Sequence, residues 1–480
     1  MSKELFFLNI VVTILYLVNG DSLNYLEDVK HTARAMRIMT DMHRRLRRQA
    51  AIRMPNALGQ KKFNPNLMWK KAFNKLKIIN IMRNPKLYQG DVLFTKIQAE
   101  YMVQKTRMHL AQRGIRYPTI SFENTTRVKR RVLTNKFFRW NMPIEIYIEP
   151  EVDKRVVDRA LIEIQQYTCI RFKKVVPPLV GRPGIRFFKG TDCHSYVGRA
   201  YDDKFQEICI GNGCDRVSTI QHETLHALGV FHEQARPDRD KYITIVTNNI
   251  SPNRLYNFDI IDKQDYDDYG LTYDYTSLMH YPINLFSVNN QPTTLPKDKN
   301  YILSIGTQEK LTYNDIKLIN LHYCSKVCPK RISCANWGYQ NPNNCNLCVC
   351  PPGFNGPNCG TVGVSSRNCG QTILRATEII QELRPRGIGL CHFMIQGPVG
   401  TKIAYKFVEG EIYPRFNDYC TYENTIEIKY WKDKSVSGAR FCVEPMNLPR
   451  FSFDHLLEIV YRSNETENYA SIVFKIVKNF

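Results

Sequence analysis

Within Gln221–Glu233, which reads Gln-His-Glu-Thr-Leu-His-Ala-Leu-Gly-Val-Phe-His-Glu, His222 and His226 stand four residues apart. On a helix that spacing projects both rings from one face, one turn from each other. Two imidazoles so placed can hold one zinc ion, and Glu223 lies beside them, positioned to hold and deprotonate a water. Gly229 can end the helix in a left-handed turn, which would bring His232 back as a third nitrogen ligand. Three protein ligands and an open position make a catalytic zinc site, whereas structural sites are closed by four. A bare H-E-x-x-H arises by chance in ordinary helices. The glycine and the third histidine at fixed offsets decide for a metal site.

The extended motif H-E-x-x-H-x-x-G-x-x-H resembles that of the metzincin zinc peptidases. Glu233 and the run to Asp240 resemble the astacin branch, and Ser277-Leu-Met-His-Tyr281 is similar to the astacin Met-turn. Alone, Met279 would be read as a core methionine and Tyr281 as a half-buried tyrosine. The resemblance implies a methionine beneath the metal and Tyr281 as a possible fifth zinc ligand at rest. On the same ground Tyr281 would swing away to donate a hydrogen bond to the oxyanion, joining Glu223 as a catalytic residue. The expected cofactor is one catalytic zinc and the expected activity is hydrolysis of peptide bonds.

The surrounding chain says where such chemistry would take place. Lys3, an apolar run from Leu5 to Val18 and then Val18-Asn19-Gly20 describe a signal peptide over 1–20. No later segment is long enough for a membrane span; Ala470–Val477 is interrupted by Lys475 and reads as a strand. Fifteen cysteines behind a signal peptide imply disulfides and a secreted, extracellular protein. Asn124 and Asn464 begin glycosylation sequons, and Asn249 begins a third that the following proline weakens.

The net charge of +22 invites a nucleic-acid reading, and its distribution excludes one. Residues 21–130 hold 24 Lys+Arg against 7 Asp+Glu, while 131–324 hold 24 of each. The basic excess therefore sits in a segment with no nucleic-acid-binding motif. We expect 21–130 to be a propeptide, with scattered helical periodicity over Leu23–Arg48. Its Tyr88-Gln-Gly-Asp-Val92 is similar to the short motif that keeps astacins silent, which implies that Asp91 binds the zinc in the zymogen. Arg127-Val-Lys-Arg130 suits a furin-like processing convertase cutting after Arg130. In astacins the freed amino group is drawn toward the glutamate beside the third histidine, here Glu233.

A catalytic domain is expected over 131–324, of mixed α+β, metzincin/astacin-like fold with zinc at the floor of a cleft. Ile144, Ile146 and Ile148 alternate as a half-buried strand. Pro150 is expected to open a helix whose Val156, Val157, Ala160, Leu161 and Ile164 repeat at helical spacing. By resemblance Cys169 pairs with Cys324 and Cys193 with Cys214. Cys209 is left over, as a buried free thiol or an intermolecular link.

Residues 325–360 hold six cysteines, too small a module for a core without staples. They resemble an EGF-like domain, which implies the pairs Cys328–Cys345, Cys334–Cys348 and Cys350–Cys359. After a linker over 361–368, residues 369–480 resemble an all-β CUB sandwich, implying Cys369–Cys391 and Cys420–Cys442. Calcium-binding CUB modules carry an aspartate where Glu423 stands here, and no further ligands can be placed, so calcium is not assigned. Many astacins favour acidic residues after the cut through an arginine whose place is taken by Gln308; Lys310 is the candidate substitute. The expected partners are extracellular protein substrates, matrix or cuticle among them, with protein contacts through the CUB module.

Two other readings compete. A metzincin of another branch, such as a matrixin or adamalysin, would lack the tyrosine of the Met-turn and commonly silences itself with a cysteine; no cysteine precedes Cys169. A non-catalytic adhesion protein would be favoured by loss of Glu223 or a ligand, and all are present.

Overall fold

The structure is a computed structural model, and it describes residues 25–46, 84, 86–118, 139–177, 180–414, 419–442 and 448–478. The signal peptide over 1–20, the cleavage site at Arg130 and the sequon at Asn124 lie outside the described residues.

The upper half of the central domain is built on one six-stranded sheet. Its strands are β1 (Val92–Leu93), β2 (Ile144–Ile148), β3 (Phe172–Lys174), β4 (Gly184–Lys189), β5 (Cys193–Tyr196) and β6 (Phe205–Ile210), in the order β1-β5-β6-β4-β2-β3. β5 runs antiparallel to β6, and β6, β4, β2 and β3 are mutually parallel. Parallel neighbours need crossovers, and the helix Lys154–Tyr167 is the one between β2 and β3. Alternation turns Ile144, Ile146 and Ile148 to the same buried face, against Val157, Ala160, Leu161 and Ile164 of that helix. The helix begins at Lys154 rather than at Pro150, because the Asp153 side chain accepts from Arg155 N and caps it.

The zinc-motif helix, Val217–Ala227, lies against this core with all of Ile220–Ala227 buried. Leu228 closes it and Gly229 follows at φ +99°, a conformation that costs glycine nothing, so the chain reverses there. Below it the chain is short 3₁₀ turns, loops and one antiparallel pairing of Ile243–Ile245 with Thr294–Pro296, down to the helix Tyr313–Ile319, which a reciprocal Thr312–Asp315 capping box starts. Cys324, at the end of the following π turn, is disulfide-bonded to Cys169. Cys193 is bonded to Cys214, and Cys209 is free and buried.

The N-terminal segment crosses the front of this domain. A helix over 25–46 and the helix Lys96–Gln112 bury Met36, Met39, Met42, Val103 and Leu110 against Phe231, Tyr256 and Ile261. Between them β1 pairs parallel with β5, Val92 opposite Ser195 and Leu93 opposite Tyr196. Among the described residues no helix is long and apolar enough to cross a membrane.

Two smaller units follow. The first is stapled by Cys328–Cys345, Cys334–Cys348 and Cys350–Cys359 around two short hairpins. The expected linker over 361–368 is not a free tether. Thr361–Val362 pairs with Phe354–Asn355, and Ser365 Oγ and Ser366 Oγ accept from the backbone of His392 and Leu390. Unpaired backbone groups there find partners on both sides, so the segment is built into its neighbours.

The C-terminal unit has a five-stranded and a four-stranded sheet, centred on Leu456–Ser463 and Tyr469–Val477, with Cys369–Cys391 and Cys420–Cys442. Its core is continuous with that of the central domain, where Tyr275 and Tyr301 stack edge-on and tilted against Trp431. Arg440 pairs with Glu309 at 2.6 Å across the same junction.

Candidate metal centre

His222 and His226 project from the motif helix, and the reversal at Gly229 returns His232 beside them. Ring centroids are 4.7 Å apart for His222 and His226, 4.6 Å for His226 and His232, and 5.3 Å for His222 and His232. All three side chains are buried to within 1%. Each ring is oriented through Nδ1, which donates to Leu278 O in His222 (2.8 Å), to Val230 O in His226 (2.7 Å) and to Gln89 Oε1 in His232 (2.7 Å). Fixing the tautomer through the outer nitrogen leaves the Nε2 lone pairs facing inward, as in a metal-ligating histidine set.

Asp91 enters this space from the N-terminal segment. Its Oδ2 lies 3.3 Å from His222 Nε2 and 3.1 Å from His232 Nε2, and its Oδ1 lies 3.8 Å from His226 Nε2. Asp91 Oδ1 and His226 Nε2 are buried without a hydrogen-bond partner. Three nitrogen lone pairs and a carboxylate converging in a dry pocket repel unless a cation lies between them. Burial outweighs the Asp91 attraction and holds His232 near a pKa of about 4; it also lowers His226, so these imidazoles are neutral ligands at neutral pH. Burial would raise Asp91, but the surrounding rings of His232, His222 and His226 outweigh it and hold the carboxyl well below its usual range. The four residues form a group that could hold a metal ion, with ligand atoms within 4.8 Å of one another. Neutral imidazoles and a carboxylate at this spacing fit zinc.

Glu223 is fully buried beside the cluster, and neither carboxylate oxygen has a hydrogen-bond partner. Burial, then the charges of Asp91 and Asp192, push its pKa well up. A carboxyl with such an environment is suited to taking and keeping a proton.

The Met-turn is held by Asp315, which accepts from Ser277 Oγ and Leu278 N. Met279 is buried in the core below, and its carbonyl accepts from Glu233 N. Tyr281 packs its ring 4.7 Å from that of His232, and its hydroxyl donates to Gln89 O at 2.6 Å. Glu233 Oε1 accepts from Arg236 Nη1 and Asp274 N. Gln308 donates weakly to Leu278 O, the carbonyl that also receives His222 Nδ1. Lys310 is turned away, its ammonium 4.0 Å over the Tyr422 ring. Of the sequons, Asn464 is exposed and Asn249 donates its amide to Pro292 O.

Gln89 is the functional residue that sequence reasoning passed over. Its side chain orients His232 and its carbonyl engages Tyr281 from φ +50°, just before Gly90 at φ +88°. Its place beside Gly90-Asp91 is the one signal that the sequence carries for it.

Residues 132–324 match the family model described as Astacin, a peptidase family. Zinc metalloproteinase nas-34 of Caenorhabditis elegans is 34% identical over 79% of this chain, and the chain spans only 62% of that protein's length. Zinc metalloproteinase nas-23 of the same organism is 32% identical over 76% of this chain and 67% of its own length. High choriolytic enzyme 1, a hatching enzyme zinc-protease from Oryzias latipes, is 32% identical with a TM-score of 0.35 over 39% of this chain and 92% of that one. With the family match lying on the domain that carries the histidines, and relatives of this identity extending well beyond it, the chain belongs to the astacin family.

Proposed function

We propose that this chain is a secreted zinc endopeptidase, made as a zymogen, that hydrolyses peptide bonds of extracellular proteins. The observation that carries the reading is the Asp91 carboxylate lodged among the three Nε2 atoms of His222, His226 and His232. Those histidines hold the zinc in both forms, and Asp91 takes a further position in the zymogen only. When bound, zinc supplies Lewis acidity, lowering the pKa of water toward ~7 and polarising the scissile carbonyl.

Glu223 accepts the proton of the attacking water and passes it to the leaving amine, which its buried, unpartnered carboxylate suits. Tyr281, once released from Gln89, donates its hydroxyl hydrogen to the developing oxyanion. Met279 shapes the base of the site and moves no proton. β5 presents a sheet edge on which a substrate strand can add, and β1 occupies that edge in the zymogen.

Residues 21–130 are the propeptide and 131–324 the protease. A convertase cuts after Arg130, and the freed amino group moves toward Glu233. The six-cysteine unit is an EGF-like module, which the pairing of Thr361–Val362 extends to 362. The C-terminal sandwich is a CUB module, which brings protein substrates of matrix or cuticle type to the cleft. With Gln308 at the usual arginine position and Lys310 over Tyr422, a strong preference for acidic residues after the cut is not expected.

The test is peptide cleavage by purified protein before and after convertase treatment, with chelator and with zinc returned. Activity that appears on processing, is lost to chelator and comes back with zinc supports the reading. A processed, zinc-loaded sample with no activity on broad peptide and protein substrates overturns it.

A further inference from the structure

A second group of ligand-type side chains lies on the sheet, outside the histidine cluster. In the β5–β6 register His194 stands directly opposite Cys209, so both side chains share one face. Asp192, just before β5, turns its carboxylate onto the same spot. Asp192 Oδ1 is 2.9 Å from His194 Nδ1 and 3.6 Å from Cys209 Sγ, and the three ligand atoms lie within 4.8 Å of one another. His194 is fully buried and Cys209 is 1% exposed. Gly190 keeps the space open, since a Cβ there would stand 2.3 Å from Cys209 Sγ.

We propose that Asp192, His194 and Cys209 form a second site for a borderline transition-metal dication, of the zinc or cobalt(II) class, separate from the catalytic zinc. The donor set is what such an ion prefers, because thiolate and imidazole select against calcium and magnesium. Ligands at about 2.0–2.3 Å in a tetrahedron stand about 3.3–3.8 Å from each other. The Asp192–Cys209 separation of 3.6 Å falls in that range, and the Asp192–His194 separation of 2.9 Å needs only a few tenths of an ångström of spreading. Thiolate and carboxylate together balance the charge of the ion, which a site this dry requires.

The surroundings have the character of an outer coordination shell. Tyr25 stacks on His194 with its ring 5.7 Å away and its hydroxyl 3.2 Å from Nε2, the nitrogen that does not face Asp192. Asn84 donates to the other oxygen of Asp192. Burial, then the Asp192 charge, keep the Cys209 thiol well above its ordinary pKa, so a cation is what would draw off its proton. Of the fifteen cysteines it is the one outside the seven disulfides. Tyr25 and Asn84 both come from the N-terminal segment, so the site is lidded by the part of the chain that processing would remove.

Cobalt(II) titration of the full-length protein tests this, because the histidine cluster contains no sulfur. Two equivalents bound and a near-ultraviolet thiolate-to-cobalt charge-transfer band are expected. Cys209→Ser should abolish the band and reduce binding to one equivalent, with peptidase activity after processing unchanged. Should that variant not fold, Asp192→Asn should weaken the second equivalent at least about tenfold. One equivalent and no charge-transfer band in the wild-type protein would overturn the proposal.

Discussion

Asp91 Oδ2 lies 3.1 Å from His232 Nε2, although the two residues are 141 positions apart. The contact closes a loop of specific links. Gln89, two residues before Asp91, accepts from His232 Nδ1 through its side chain and from Tyr281 through its carbonyl. One short turn thus engages the third histidine on both of its nitrogens and also holds the tyrosine. Its Gly90, at positive φ, lets the chain present both side chains to the site.

Tyr281 is expected to act on the reaction and not on metal retention. Tyr281→Phe should lower kcat of the processed enzyme by about 10²-fold with KM little changed, the cost of one oxyanion donor. Zinc content measured beside the kinetics should stay at the wild-type value. A rise in KM with kcat preserved would assign the hydroxyl to substrate binding instead.

Glu223→Ala should remove about 10²–10⁴-fold of the hydrolysis while zinc remains bound. The separation of the two effects follows from the Nε2 atoms of His222, His226 and His232, which converge where they could hold the ion without the glutamate. Proteolysis retained by a pure preparation of this variant would refute the role of Glu223 as base.

Glu233 gives the unprocessed chain a pH dependence. Burial, opposed by Arg236, raises its carboxyl to about 7. A raised acid holds in the native state a proton that the unfolded chain releases above about 4.3. Its contribution is therefore present at low pH and is lost as pH rises through about 7. Glu233→Gln should flatten the fall in Tm between pH 5 and 8 for the unprocessed protein. An ammonium brought beside Glu233 by processing would lower the carboxyl, so the processed enzyme should lack this fall.

Trp431 couples the C-terminal sandwich to the central domain through Tyr242, Tyr275 and Tyr301, and its indole donates to Asp298. Trp431→Ala should cost about 2 kcal/mol, less than a fully buried tryptophan because the ring is only half-buried. Calorimetry should show a single transition of the two units in the wild type separating into two in the variant.

Much of the metal centre can be read from spacing, because helical geometry ties His222 to His226 and a glycine turn supplies His232. Alternation in Ile144–Ile148 and periodicity in Val157–Ile164 likewise fix which faces are buried. What the sequence hides are contacts between distant segments. No local pattern joins Gln89 to His232 and Tyr281, or Tyr275 and Tyr301 to Trp431. Local capping chemistry also displaced one boundary, since Asp153 and not Pro150 starts the helix before Cys169. Residues 361–368, expected as a linker between the two modules, are fastened by backbone pairing and two serine side chains. Lys310, which the astacin resemblance offers as a substitute for the cleft arginine, has its ammonium over the Tyr422 ring across the domain junction.

The most direct test of the central claim is peptide hydrolysis by the unprocessed protein carrying Asp91→Ala, beside the unprocessed wild type, each with and without chelator. Release of the carboxylate from His222, His226 and His232 should raise activity at least about tenfold, the equivalent of ~1.4 kcal/mol of blocking contact, and chelator should abolish it. An Asp91→Ala protein that binds zinc yet stays as silent as the wild type, while the processed wild type is active, would contradict the account.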